Sequence, residues 1–413
     1  MKKMIAGLCS MILMVTILVG CTKTQDAKIS TDLFDVNWEE IVKESKGKTV
    51  NIHMWGGDDS VNRYMDEWVA PRLKETYNIE LNRVPINDAK DMINKLLTEK
   101  EVGKTNGSID IFWINGENFK ISKENDLLWD SFVDKLPNYN TYVDKDALDI
   151  QYDFGEEIKG MEAPWGKSQF VFIYDESKIK NPPKSMEELK NWVTENPGKF
   201  TYPAPPDFTG SAFVRHALFE TTGGYKQYLT KMNQEAFKNQ SRQLWDYLNQ
   251  IKPYLWRKGK TYPESIAKLD RLYENGEVWM SLSYNPVHAA SKIKLGQFAK
   301  TTKTFLLDQG TLANTHYLSI PFNATQKAGA MVVIDFLLSP EAQMKKFDPK
   351  YWGDGAVLSY DKLSNDEKKS FREIDRGEVT LSQEILEKNR IPEISAEYVH
   401  EIEKGWMENV VKK

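Results

Sequence analysis

The stretch that decides the fold is residues 50–77, VNIHMWGGDDSVNRYMDEWVAPRLKETY. It opens as a short apolar run on Val50, Ile52 and Met54 and breaks at Trp55-Gly56-Gly57. Asp59 or Ser60 can cap a helix there. Val61, Tyr64, Met65, Trp68, Val69 and Leu73 then recur at spacings of three and four, which is one helical face. The order is strand, glycine loop, amphipathic helix. In an open α/β sheet such a loop lies at the C-terminal edge of a strand, where ligands bind. Its glycines let the backbone approach a bound molecule, and the helix N-terminus offers free N–H groups. A plain β–α turn carries the same pattern, so both readings stay open. Pro71 falls inside the helix pattern and is expected to kink or shorten it.

The pattern repeats outward. Residues 35–46 read as a short helix that Gly47 ends. Residues 80–84 alternate as a second strand, and 88–99 form a helix on Met92, Ile93, Leu96 and Leu97. Residues 109–114 read as a third strand, which Asn115-Gly116-Glu117-Asn118-Phe119 turns into the next helix. This alternation predicts a parallel sheet. The loops at 55–58 and 113–118 then face one sheet edge, each with a tryptophan, a glycine and a carboxylate. That coincidence is the main argument for a site. From Ala163 the register changes. Ala163-Pro164-Trp165-Gly166 leads an alternating run over 169–174. Ser185 with Glu188 makes a capping box, 200–202 reads as a short strand, and a helix starts at Ser211 after a proline-rich loop. This is a second α/β unit with its own loop candidate at 207–211. Residues 234–256, 263–275 and 326–338 read as helices, 278–284 and 310–320 as extended. The tail from Tyr351 mixes polar helix patterns with Pro392.

A chain of 413 residues allows two domains or more, each with a real core. A net charge of -5 leaves no basic footprint, so nucleic acid is not an expected partner. The first twenty residues stand apart. Lys2 and Lys3 precede an apolar run, 5–19, too short for a comfortable membrane span. It ends in Leu18-Val19-Gly20-Cys21, which resembles a lipobox, the signal by which bacterial lipoproteins are cleaved before a lipid-carrying cysteine. An ordinary secretory signal with a chance cysteine is the alternative. Lipidation accounts for a mature chain with a single cysteine, because Cys9 leaves with the signal. The expectation is a signal peptide over 1–20, an acyl (palmitate) anchor on Cys21, a polar tether over 21–34, and an extracytoplasmic, membrane-held protein.

The order of pieces resembles an extracellular solute-binding protein of a bacterial ABC importer. The residues that carry this are the lipobox at Cys21, Pro182-Pro183 before the Ser185 helix, and Asn275-Gly276-Glu277-Val278 before a strand. Most telling is Phe336-Leu337-Leu338-Ser339-Pro340-Glu341-Ala342-Gln343. A narrower resemblance is to the YnjB-type branch. It rests on Trp55-Gly56-Gly57, on the run from Trp113 to Phe119, on Pro164-Trp165-Gly166, on YPAPPDFTGS over 202–211 and on Asn314-Thr315-His316. The resemblance implies an α/β, two-lobed periplasmic-binding-protein type II fold, each lobe a mixed or parallel sheet flanked by helices. It places lobe 1 at 35–163 and 286–340 and lobe 2 at 164–285 and 341–413. It implies a monomer without cofactor, metal or catalysis, which captures a small molecule between its lobes and delivers it to the permease subunits of the importer. Closure about crossover strands would be the signal the importer reads.

The cleft candidates are Trp55, Gly57, Asp58, Trp113, Asn115 and Glu117 from the first lobe. Trp165, Asp207, Tyr284 and Asn285 come from the hinge and second lobe, and Asn314 and His316 from the return crossing. Rings at Trp55, Trp113, Trp165 and Tyr284 can stack on an aromatic ligand or enclose a cation. Asp58, Glu117 and Asp207 can balance positive charge. These types favour a cationic or aromatic solute, thiamine-like or polyamine-like. Each has a plainer role too: core packing for Trp113, helix caps for Asp58, Asp59 and Asp207, a structural histidine at 316, turn residues at Asn115 and Asn118. Helix N-termini near Ser60 and Ser211 could instead hold an anion, but acidic residues sit beside the first. Ferric iron is disfavoured, since iron-binding relatives use adjacent tyrosines and no Tyr-Tyr pair occurs. A secreted carbohydrate hydrolase with a carboxylate pair drawn from Asp58, Asp59, Glu117 and Asp207 is the alternative of a different class. No Gly-x-Ser-x-Gly, His-Glu-x-x-His or P-loop motif accompanies it.

Overall fold

The computed structural model describes residues 33–56, 59–86 and 89–412. Strands are β1 (Thr49–Trp55), β2 (Glu80–Ile86), β3 (Ile111–Ile114), β4 (Tyr152–Asp153), β5 (Glu156–Glu157), β6 (Glu162–Gln169), β7 (Val171–Asp175), β8 (Met280–Ser283), β9 (Thr302–Phe305), β10 (Thr311–Ser319) and β11 (Arg390–Pro392).

β1 buries Val50, Ile52 and Met54 and leaves the alternate residues outside. The following helix runs over 59–77 with a π turn, Tyr64–Val69, in its middle. There the Ala70 N–H reaches back five residues to the Met65 carbonyl. Of the kink or shortening expected at Pro71, the shortening does not occur, and the helix instead takes a π turn just ahead of it. A proline lacks the N–H and crowds the preceding turn, and widening that turn by one residue accommodates both defects.

β1 lies between β2 and β3 and is parallel to both. β10 then joins β3 antiparallel. One edge of β10 pairs with β3 over 317–319 and with β11 over 311–313, while the other pairs with β6 over 313–319. β6 continues through Phe170 into β7, which stands between β8 and β9 in a separate three-stranded antiparallel sheet. β6–β7 and β10 therefore run side by side from one sheet to the other. Residues 200–202, expected as a strand, join no sheet; the Phe200 carbonyl accepts from Trp256 N–H in a loop.

The first sheet carries a core on each face. One includes Ile52, Met54, Ile111, Trp165 and Leu318, the other Phe112, Ile114, Phe119 and Tyr317. The second half has its own core, with Phe170, Phe172, Phe213, Leu248 and Met280. These cores divide the chain differently from the expected boundaries. Phe298, Phe305 and Leu312 pack in the second core, because the return crossing is β10 itself and not Asn285-Pro286. Phe347, Leu358 and Phe371 pack in the first core, so the stretch after 341 does not pass directly to the second half. It crosses between Phe371 and Leu386. Through the second core runs the helix Phe208–Thr221, buried at every residue from 209 to 219. It starts ahead of the expected Ser211, because Asp207 supplies the cap: its Oδ1 accepts from Gly210 N–H at 2.9 Å.

Candidate ligand-binding cleft

At the end of β3 the chain turns at Gly116, whose φ of +61° is the left-handed region that favours glycine. A Cβ there would lie 3.4 Å from the Phe154 ring. Bare of one, Gly116 comes close enough for its N–H to donate to Asp153 Oδ2 at 2.5 Å. The strand end is thus fastened to the β4–β5 hairpin.

The facing wall comes from the second half. Glu393 follows β11 directly, and its Oε1 accepts from Tyr284 Oη at 2.5 Å and from Arg215 Nη2 at 3.0 Å. Arg215 also donates to Ser211 Oγ at 2.9 Å, which in turn donates to Glu403 Oε1 at 2.8 Å. Phe208, 46% exposed at the helix start, lies 4.8 Å from the Tyr284 ring. On β10, Asn314 Oδ1 accepts from Asn115 Nδ2 at 3.4 Å. Tyr152, Asp153, Phe154, Asn314 and Glu393 together line a cavity of about 10 Å³. That holds about one water, so a solute of drug size needs the halves to part.

Charge is unevenly placed here. Burial works to raise Asp149, but Lys167 and Arg390 outweigh it and hold its carboxyl below the ordinary range. Burial lowers Lys167 in return, to about 8, against the pull of Asp149. Asp153 has no such cation. Burial pushes its carboxyl well above the usual range; Gly116 N–H opposes this, and the charge of Glu393 adds to it. Glu162 behaves alike, raised by burial and then by Asp153, with neither oxygen partnered. Glu393 Oε2 is also buried without a partner. Carboxyls from both halves thus meet with acceptors to spare.

Of the expected residues, Asn115, Tyr284 and Asn314 are brought together at this place. Glu117 is exposed at the start of the adjoining helix Glu117–Glu124. Trp55 ends β1 and is 46% exposed. Three others have packing, capping or turn contacts. Trp165 is fully buried in the first core. Asp207 caps its helix through Oδ1. Asn285 Oδ1 accepts from Val287 N–H at 3.0 Å and shapes a turn. Trp113 and His316, both half-buried, join a cluster of rings. Trp113 lies 5.3 Å from Trp165, 5.1 Å from His316 and 5.6 Å from Trp352. His316 Nε2 contacts Ser168 Oγ at 3.2 Å and Asp354 Oδ1 at 3.4 Å. Gly57, Asp58 and the lipidation candidate Cys21 lie outside the described residues. Among the described residues no three His, Cys, Asp or Glu side chains come together as a metal site, and no helix is long and apolar enough to cross a membrane.

The sequence reading missed Asp153, Phe208, Arg215 and Glu393. One signal was present. Arg215 sits among Phe213, Val214, Ala217 and Leu218, and an arginine on an apolar helix needs a buried acceptor.

Residues 67–358 match the family described as bacterial extracellular solute-binding protein. The chain belongs to that family. It is 41% identical over 337 residues to Protein YnjB of Escherichia coli (strain K12), covering 81% of this chain and 86% of that one. Among solved structures, an ABC transporter from Clostridium perfringens ATCC 13124 superposes with a TM-score of 0.62 at 20% identity, over 88% of this chain and 99% of that one. The spermidine/putrescine substrate-binding protein PotD of Streptococcus pneumoniae gives 0.61 at 14%, over 88% and 98%. A periplasmic thiamin binding protein gives 0.54 at 15%, over 88% and 95%. At such identities the likeness is one of fold, the two-lobed periplasmic-binding-protein type II architecture. This chain is a solute-binding protein of the ABC-transporter kind, and its two larger sheets, joined by β6–β7 and β10, fit that two-lobed architecture.

Proposed function

We propose that this solute-binding protein captures a small cationic molecule, aromatic or polyamine-like, and delivers it chemically unchanged to an ABC importer. It does so as a monomer held to the membrane by lipid on Cys21, on the extracytoplasmic face. The observation that carries the ligand class is the meeting of Asp153 from one half with Glu393 from the other on a single cavity, where Glu393 Oε2 has no partner. Empty, the charge of Glu393 disfavours ionisation of Asp153. A cation between them satisfies both and draws the halves together. The exposed ring of Phe208, against Tyr284, and that of Trp55, at the end of β1 beside β3, offer stacking surface. Relatives of the same fold bear the names of spermidine/putrescine and thiamin binders, which supports testing these two cations first.

The test is native mass spectrometry of whatever copurifies, followed by thermal melts with spermidine and with thiamine. The reading expects a cation to raise the melting temperature and to be recovered intact. Turnover of the stabilising compound, or stabilisation by anions alone, would sink it.

A further inference from the structure

A second cavity, of about 490 Å³, opens on the flank of the molecule and shares no lining residue with the one at Asn314. Its walls come from both halves. Phe347, Leu358 and Phe371 belong to the first core, while Leu381 packs against the second. The segment carrying Leu381 is tied to the second half, since Thr304 Oγ1 donates to the Val379 carbonyl. A Cβ on Gly377 would lie 2.6 Å from Ala290 Cβ.

One wall residue is charged and out of water. Arg376 is 9% exposed, and its guanidinium lies 3.7 Å from the centroid of the Phe347 ring. Nη2 donates to the Gly353 carbonyl at 2.9 Å, and Nε has no partner. A guanidinium carries five N–H donors, so this one is short of acceptors. Burial lowers its pKa to about 9, and the nearby charge of Asp354 only partly offsets this. Of the wall carboxylates, Glu387 is half-buried and accepts from Gln383 Nε2 at 3.1 Å, and the other four stand in solvent. Glu373 and Glu384 each have a lysine one turn away, and Asp375 and Glu378 are exposed. Water and salt screen such charges, whereas a charge beside Arg376 is screened far less.

We propose that this flank cavity is a second small-molecule site and that it takes an amphiphilic anion, with a carboxylate at Arg376 and a short apolar body against Phe347, Leu358 and Phe371. The volume lies within the usual range for small-molecule sites, about 300–1,000 Å³. Because both halves supply its walls, an occupant senses their separation, and its binding is linked reciprocally to the cleft. The inference does not depend on which solute the cleft holds.

The test is calorimetric titration of the full-length protein with octanoate, with octanol and octylammonium as comparisons. Saturable binding of octanoate is expected, with octanol weaker and octylammonium unbound. Arg376→Gln should weaken octanoate by at least about tenfold, the scale of a lost charge-assisted contact. Leu381→Trp fills the cavity while leaving the arginine in place, and should abolish binding with an unchanged circular dichroism spectrum. It decides the matter if Arg376→Gln does not fold. The proposal is overturned if octanoate shows no saturation at millimolar concentration, if Leu381→Trp binds it as tightly as the native chain, or if octanol or octylammonium binds equally well.

Discussion

Trp55 and Trp113 look alike in sequence and end differently in the fold. Trp55 ends its apolar strand run and Trp113 stands one residue before the end of its own, and each run leads into a glycine turn. Pairing puts Ile52 opposite Ile111 and His53 opposite Phe112. One step further, Trp113 falls beside Met54; one more, and Trp55 falls beside Ile114. Neighbouring positions in a strand point to opposite faces, so the two indoles leave the sheet on opposite sides. Trp113 enters the cluster with Trp165, His316 and Trp352, while Trp55 stays 46% exposed. A one-residue difference in where the apolar run stops separates a packing tryptophan from one free to meet a solute.

The largest effect should come from the packed side. Trp165→Ala removes a fully buried ring that touches both Trp113 and Trp352, and should cost about 3–5 kcal/mol in urea unfolding. Trp113→Ala, at a half-buried position in the same cluster, should cost less, about 2–3 kcal/mol. If Trp113→Ala changes stability no more than an ordinary surface substitution, the cluster is not what sets the two strand ends apart.

On the cleft side the effects fall on binding. Glu393→Gln keeps an acceptor for Tyr284 and Arg215 but removes the charge on the cavity wall. Affinity for a stabilising cation should drop by about 10- to 100-fold, the range for a lost hydrogen bond to a charged group. The same wall predicts a pH dependence. Burial raises the Asp153 carboxyl well above its ordinary value, so the empty protein holds that proton into a higher pH range. A bound cation favours the ionised form, and binding therefore releases a proton. Affinity should rise with pH from the ordinary carboxylate range up to the raised value, then level off. A profile that falls with pH over that window would contradict the assignment of Asp153.

These contrasts show what the sequence could carry. The β1, β2, β3 order was legible because each strand is a short apolar run followed by a helix of period three to four, and parallel pairing follows from that alternation. The cap at Asp207 was legible only as an option, since an Asp before a helix looks the same whether it serves the backbone or a ligand. The π turn ahead of Pro71 left no mark in residue types, because it is the backbone's response to one proline. Glu393 was not legible at all. It lies in a polar tail, far along the chain from Arg215 and Tyr284, and only the third crossing between the halves brings the three together.

The smallest effect on stability, and the sharpest test of the comparison, belongs to Trp55. Its ring is nearly half in water, and its removal leaves no core cavity. Trp55→Ala should shift unfolding by no more than about 0.5 kcal/mol, as for other surface positions. Affinity is a different matter. A ring that stacks on a bound cation contributes about 0.5–2 kcal/mol, so affinity should fall by roughly 2- to 30-fold with stability nearly untouched. Trp113→Ala inverts the pattern: a large loss of stability, and little change in the affinity of whatever remains folded. Should Trp55→Ala leave affinity for the copurifying solute unaltered, the exposed indole at the end of β1 is not part of the cleft. The carboxyl pair at Asp153 and Glu393 would then have to account for capture without it.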